Sequence, residues 1–121
     1  MNICLLGNNL TNLVLANILL KKKINVEIIS QVQPTVLKNT LRTIAISNDN
    51  YKFLGENIKG IKNLGWPTAK IKIYSEKSKS QELFEFKNKN QNNFYLIKYI
   101  TLSNLIKKNK YLKFTRLKNY D

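Results

Sequence analysis

The first thirty residues constrain everything after them. Asn2-Ile-Cys-Leu-Leu6 is a short apolar run, and Gly7-Asn8-Asn9 is a turn that opens on glycine. Leu10 to Leu20 reads as an amphipathic-to-apolar helix that ends in Lys21-Lys22-Lys23, and Ile24 to Ile29 is a second apolar run. Run, turn, helix, run is the order of a β-α-β unit spanning residues 1–30. Parallel strands joined by a helix bury both sheet faces, which predicts Cys4 as a small buried apolar residue. The turn aims the helix N-terminus, with its free N–H groups and positive dipole end, at whatever sits above the sheet edge. A nucleotide pyrophosphate is the usual occupant of that place.

The dinucleotide fingerprint G-x-G-x-x-G falls here on Gly7, Asn9 and Asn12. Asn tolerates a left-handed backbone, so Asn9 is expected to make the turn. Asn12 replaces the glycine that allows close packing of helix on strand. Ser30 stands where an acidic residue would grip a ribose, and it offers a hydroxyl instead. The motif leaves two readings open: dinucleotide binding, or a plain α/β unit.

The 121 residues suffice for one small domain. Lys and Arg number 21 against 7 Asp and Glu, a formal charge of +14. The lysines are scattered with Asn and Ile through helices, loops and strands, as an AT-rich coding sequence produces. They form no dense stripe, and arginine occurs only at Arg42 and Arg116. This argues against nucleic acid and leaves attraction to anionic cofactors or an anionic membrane surface. Cys4 is the sole cysteine, so no internal disulfide forms. The lack of histidine excludes Ser-His-Asp and Cys-His catalysis and argues against zinc. The first apolar run has no basic segment before it, and Leu13 to Leu20 is too short to span a bilayer, so the chain reads as cytoplasmic.

Gln31 to Thr40 reads as a polar loop broken by Pro34. Arg42-Thr-Ile-Ala-Ile-Ser47 reads as an extended run, with Ser47 or Asp49 capping a helix through Tyr51, Phe53 and Leu54. Gly55, Gly60 and Gly65 are expected to punctuate short helical pieces, and Trp66 to anchor a core or interface. Lys70 to Tyr74 alternates polar and apolar, Glu76 to Gln81 is a turn, and Leu83 to Phe86 follows, so a hairpin is predicted. Lys87 to Asn93 is a polar linker. Phe94 to Ile97 is a strand, Thr101 caps a helix through Leu102, Leu105 and Ile106 that ends in Lys107 to Lys110, and Tyr111 to Phe114 is a last strand apt to rejoin the parallel sheet.

This layout resembles the N-terminal part of the FAD-dependent aromatic hydroxylases, in particular the ubiquinone-biosynthesis branch of the para-hydroxybenzoate-hydroxylase-like flavoproteins. Three stretches carry the resemblance: Ile3 to Leu13; Arg42-Thr-Ile-Ala-Ile-Ser47 with the Phe-Leu helix running to Leu64-Gly65-Trp66; and Phe94 to Lys98 with the helix Leu102 to Lys108. It implies an α/β fold, a Rossmann-type FAD-binding β-α-β unit with an antiparallel β insertion over 68–97, and a helix and strand over 101–114 returning to the sheet. Residues 1–121 would form a partial FAD-binding domain, truncated relative to the family and completed by a second polypeptide or by further chain.

The resemblance also implies that Gly7, Asn8, Asn9 and Leu10 hold the FAD pyrophosphate. Ser30 would lie near the adenosine ribose, and Arg42 by the flavin and pyrophosphate. NAD(P)H serves as reductant in the intact family, and the flavin activates oxygen to hydroxylate an electron-rich ring. Location would be cytoplasmic or peripheral to the inner membrane. A second reading stays open: a non-enzymatic basic module of nucleotide fold that binds nucleic acid, anionic lipid or a partner protein.

Overall fold

A computed structural model describes residues 1–31, 42–76, 81–87 and 94–117. Its elements are β1 (Asn2–Leu6), α1 (Leu10–Lys21), β2 (Asn25–Ser30), β3 (Thr43–Ser47), α2 (Asn48–Asn57), β4 (Trp66–Thr68), β5 (Lys70–Tyr74), β6 (Glu82–Lys87), β7 (Phe94–Lys98), α3 (Tyr99–Lys107) and β8 (Lys113–Arg116). A 3-10 turn at Ile61–Asn63 lies between α2 and β4. The loop after Gln31, most of the turn after Glu76 and the linker after Lys87 fall outside the described residues.

The strands form three sheets. In the first, β2 lies between β1 and β8, and both pairings are parallel. In the second, β7 lies between β3 and β4, and both pairings are antiparallel. The third is the β5–β6 hairpin. The pattern of apolar residues accounts for the first sheet's single covered face. Ile3 pairs with Val26, and Leu5 with Ile28, which in turn pairs with Phe114. All five side chains belong to the core.

Helix α1 is apolar on most of its surface and packs on several sides, though Leu15 is exposed. Leu13 and Ala16 are fully buried, and α1 packs against β2, α3 and α2. Ile97, Leu102 and Ile106 complete the centre with no exposed surface to speak of. Each such side chain contributes about 1.5–3 kcal/mol of burial. Asn17 and Ser103 are the buried polar residues of this layer among the described residues, and Asn17 bridges two helices. Its amide donates to the carbonyls of Leu13 (2.9 Å) and Ile106 (3.3 Å), and its Oδ1 accepts from Asn109 (2.8 Å). One satisfied side chain thereby ties α1 to α3.

Tyr51 does similar work for the second sheet. Its ring stacks on Tyr95 of β7, centroids 3.8 Å apart. Its hydroxyl donates to the Ile61 carbonyl at 2.9 Å and accepts the Gly65 N–H at 3.3 Å. Helix α2 is thus fastened both to the sheet and to the 3-10 turn.

Several expectations need correction. Cys4 is exposed, not buried, because it alternates with Ile3 and Leu5 and points to the other face of the sheet. Leu6 on that face is 71% exposed, so the parallel sheet is covered on one side only among the described residues. Gly55 lies inside α2 and does not interrupt it. Trp66 belongs to β4 and is 57% exposed, so it anchors no core. Helix α3 begins at Tyr99 after Lys98, which puts Thr101 in its first turn and not at its cap. The last strand is displaced to Lys113–Arg116 and does pair with β2. Ser47 caps α2 as expected, its Oγ accepting the Asn50 N–H at 3.4 Å.

Candidate functional site

The carboxyl ends of β1 and β2 lie side by side, Leu6 opposite Ile29. The ladder runs one residue further, where the Gly7 N–H donates to the Ile29 carbonyl at 2.7 Å. That bond holds the turn beside Ser30. On its other side Ser30 accepts the Leu117 N–H at 3.1 Å. The sheet edge therefore brings Gly7, Asn8, Asn9 and Leu10 next to Ser30. Arg42 lies just before β3, outside that sheet. Its carbonyl accepts the Tyr99 N–H at 2.9 Å and its guanidinium sits 5.0 Å above the Tyr99 ring.

The turn works differently from the sequence expectation. Gly7 carries the left-handed backbone, with φ +95°. Asn9 is extended, at φ −87° and ψ 167°, and serves as the helix cap. A Cβ on Gly7 would meet nothing closer than 3.5 Å, so glycine is required there by its backbone angle and not by space. The Asn9 Oδ1 accepts the Asn12 N–H at 2.9 Å, and the Asn9 carbonyl accepts the Leu13 N–H at 3.1 Å. Capping propensity was the signal that could have shown this: Asn is among the best N-caps, and Asn9 immediately precedes the helix.

Asn12 is the residue that fingerprint matching undervalues. Its amide donates to the carbonyls of Leu6 (2.6 Å) and Gly7 (2.9 Å). Close contact of helix and strand is thus achieved by two hydrogen bonds where a glycine would achieve it by small size.

Four N–H groups at a helix start lack an intrahelical partner, and the Asn9 side chain accounts for one of them, that of Asn12. The N–H groups of Leu10 and Thr11 have no partner among the described residues. No acidic side chain lies in the first turn of α1. The Asn8 Oδ1 is buried without a hydrogen-bond partner. Open backbone donors, a positive helix end and no competing carboxylate are what a phosphate group needs. The buried Asn8 oxygen offers an acceptor to a hydroxyl. The donor set therefore fits a diphosphate at the turn, with Ser30 at the neighbouring strand end.

The backbone of this arrangement matches 2,6-dihydroxypyridine-3-hydroxylase from Arthrobacter nicotinovorans with a TM-score of 0.65, over 93% of this chain. The fold is shared with a ring hydroxylase. Identity to that hydroxylase is 11%, and this chain spans 28% of its length. No protein-family model matches the sequence, and no curated protein matches it. Among the described residues, no group of His, Cys, Asp and Glu could hold a metal, and no helix is long and apolar enough to cross a membrane.

Proposed function

We propose that this chain is the dinucleotide-binding part of an FAD-dependent hydroxylase, with the FAD diphosphate on the Gly7–Leu10 turn. The observation that carries the reading is the pair of unpartnered N–H groups at Leu10 and Thr11, held above the carboxyl edge of two parallel strands. The shared fold with a ring hydroxylase supports it. The Rossmann-type role of the β-α-β unit, and residues 1–121 as part of an FAD-binding domain, belong to this proposal.

FAD, when bound, supplies the oxygen chemistry. This chain's residues bind and orient it. Leu10 and Thr11 donate backbone hydrogen bonds to phosphate oxygens, and the α1 dipole adds attraction. Asn8 and Ser30 meet hydroxyl groups. The resemblance gives Arg42 the role of a cation near the phosphates, whereas its guanidinium here lies over the Tyr99 ring. The resemblance of Ile3 to Leu13 and Arg42 to Ser47 favours the ubiquinone-biosynthesis branch, with NAD(P)H as reductant and a polypeptide partner or further chain to complete the ring-binding side.

The test is a titration of the purified chain with FAD, read by flavin absorbance, fluorescence and thermal protection. Saturable binding that Gly7→Ala weakens supports the reading. No binding at high micromolar FAD removes it. Hydroxylation is assigned to the completed protein, so the 121 residues alone should show little substrate-dependent oxygen consumption.

A further inference from the structure

The opposite edge of the parallel sheet carries a second feature. A cleft of about 400 Å³ opens at the amino-terminal ends of β2 and β8, away from the Gly7 turn. Leu20 and Val26 form its apolar floor, and Lys23, Lys110, Tyr111 and Lys113 stand around it. No acidic side chain lines it. Among the described residues, none of the three lysines has a carboxylate within 4 Å, since the ion pairs there belong to Lys70 and Lys72.

Two further observations bear on this cleft. The first is the backbone of Lys23, the one non-glycine residue with positive φ, at +60°, among the described residues. It follows the helix end, with its N–H on the Leu20 carbonyl and the Ile24 N–H on the Leu19 carbonyl, both at 3.0 Å. Glycine is the usual residue at that position because it has no Cβ to strain. A lysine occupies that position at a conformational cost, and it lines the cleft. The second is Tyr111, which is 64% exposed, with the Lys110 ammonium 5.0 Å from its ring centre. The ring makes one wall of the cleft and holds a cation at its face.

We propose that this cleft binds a small phosphate ester with an aromatic or apolar body. The three lysines bring positive charge to the cleft with no ion-paired carboxylate among the described residues, and a phosphate neutralises it. Phosphate oxygens accept charge-assisted hydrogen bonds from Lys23, Lys110 and Lys113. The organic part of the ester covers the apolar floor and lies against Tyr111. The site is independent of the Gly7 turn.

The test uses the full chain at low ionic strength, with phenyl phosphate as probe and calorimetry as readout. Lys23→Gly and Lys113→Gln should each weaken phenyl phosphate by roughly tenfold. Lys52→Gln, outside the cleft, should leave it within twofold. Lys23→Gly should also leave the fold at least as stable, because glycine suits that backbone, which separates lost binding from lost structure. Tyr111→Ala should weaken phenyl phosphate more than inorganic phosphate. Phenyl phosphate binding should survive Gly7→Ala, so failure at one edge is distinguishable from failure at the other. No saturable binding at millimolar phenyl phosphate would overturn the proposal. Equal losses in Lys52→Gln and Lys23→Gly would overturn it too, by showing diffuse charge alone.

Discussion

The side-chain amide of Asn12 donates to the Leu6 carbonyl at 2.6 Å and so pins the first turn of α1 to the end of β1. The same amide reaches the Gly7 carbonyl at 2.9 Å. Two carbonyls that would otherwise face the helix end are satisfied by one residue. Asn12→Ala should therefore cost about 1–3 kcal/mol, because both acceptors lose their donor. Asn12→Gly restores the fingerprint glycine yet should cost more, since glycine inside a helix adds about 1 kcal/mol. Urea denaturation measures both. Unchanged stability in Asn12→Gly would show that the amide locks nothing.

Asn9 separates folding from binding. Asn9→Ala removes the cap and should cost about 0.5–2 kcal/mol. Asn9→Asp keeps the cap and adds negative charge at the positive helix end, so stability should hold or rise by up to about 1 kcal/mol at low salt. The same carboxylate stands beside the proposed diphosphate and should weaken FAD. Denaturation and FAD titration of the Asp variant should move in opposite directions, and a tighter FAD complex would displace the diphosphate from this turn.

The two glycines around α2 should respond with opposite signs. A Cβ on Gly65 would lie 2.8 Å from the Tyr51 ring, which is itself held by its stack on Tyr95. Gly65→Ala should cost about 1–3 kcal/mol through that crowding. Gly55 lies within the helix, and a Cβ there meets only the flexible Lys62 side chain at 3.3 Å. Gly55→Ala should gain about 0.5–1 kcal/mol. Thermal unfolding of the two variants checks both signs.

The β5–β6 hairpin should be sensitive to acid and salt. A hydrogen bond from Lys70, at 3.0 Å, holds the Glu85 carboxyl below its ordinary 4.5. A depressed carboxyl contributes to folding above its unfolded value and loses that contribution as pH falls through its folded one. Hairpin order, followed by amide NMR shifts, should therefore weaken below about pH 4.5. The groups are at the surface, so added salt should weaken it as well. Lys70→Ala should reduce the acid transition, with Lys72 still paired to Glu82 and Glu85, and an unchanged transition would assign it elsewhere.

The interior and the hairpin should tolerate change very differently. Leu102 is fully buried, and Leu102→Ala should cost about 2–5 kcal/mol. Phe84 is 65% exposed on the apolar face of the hairpin, and Phe84→Ser should stay within about 0.5 kcal/mol. Chemical denaturation of both variants is the check.

The sequence by itself determined most elements and their order, but not the strand β4 at Trp66–Thr68. Run, turn and helix over residues 2–21, the alternation of Lys70 to Tyr74 and the cap at Ser47 are local signals, set by periodicity and by the chemistry of adjacent residues. Only the tertiary structure decided which face of each element is covered. Cys4 and Ile3 look alike in the sequence, but α1 lies over one of them and not the other. Gly7 rather than Asn9 bends left-handed because Gly7 must reach the Ile29 carbonyl while Asn9 caps the helix. The pairing of Arg42 with Tyr99, and of Asn17 with Ile106 and Asn109, joins residues 57, 89 and 92 positions apart. Such contacts depend on how distant segments pack, and no local pattern encodes them.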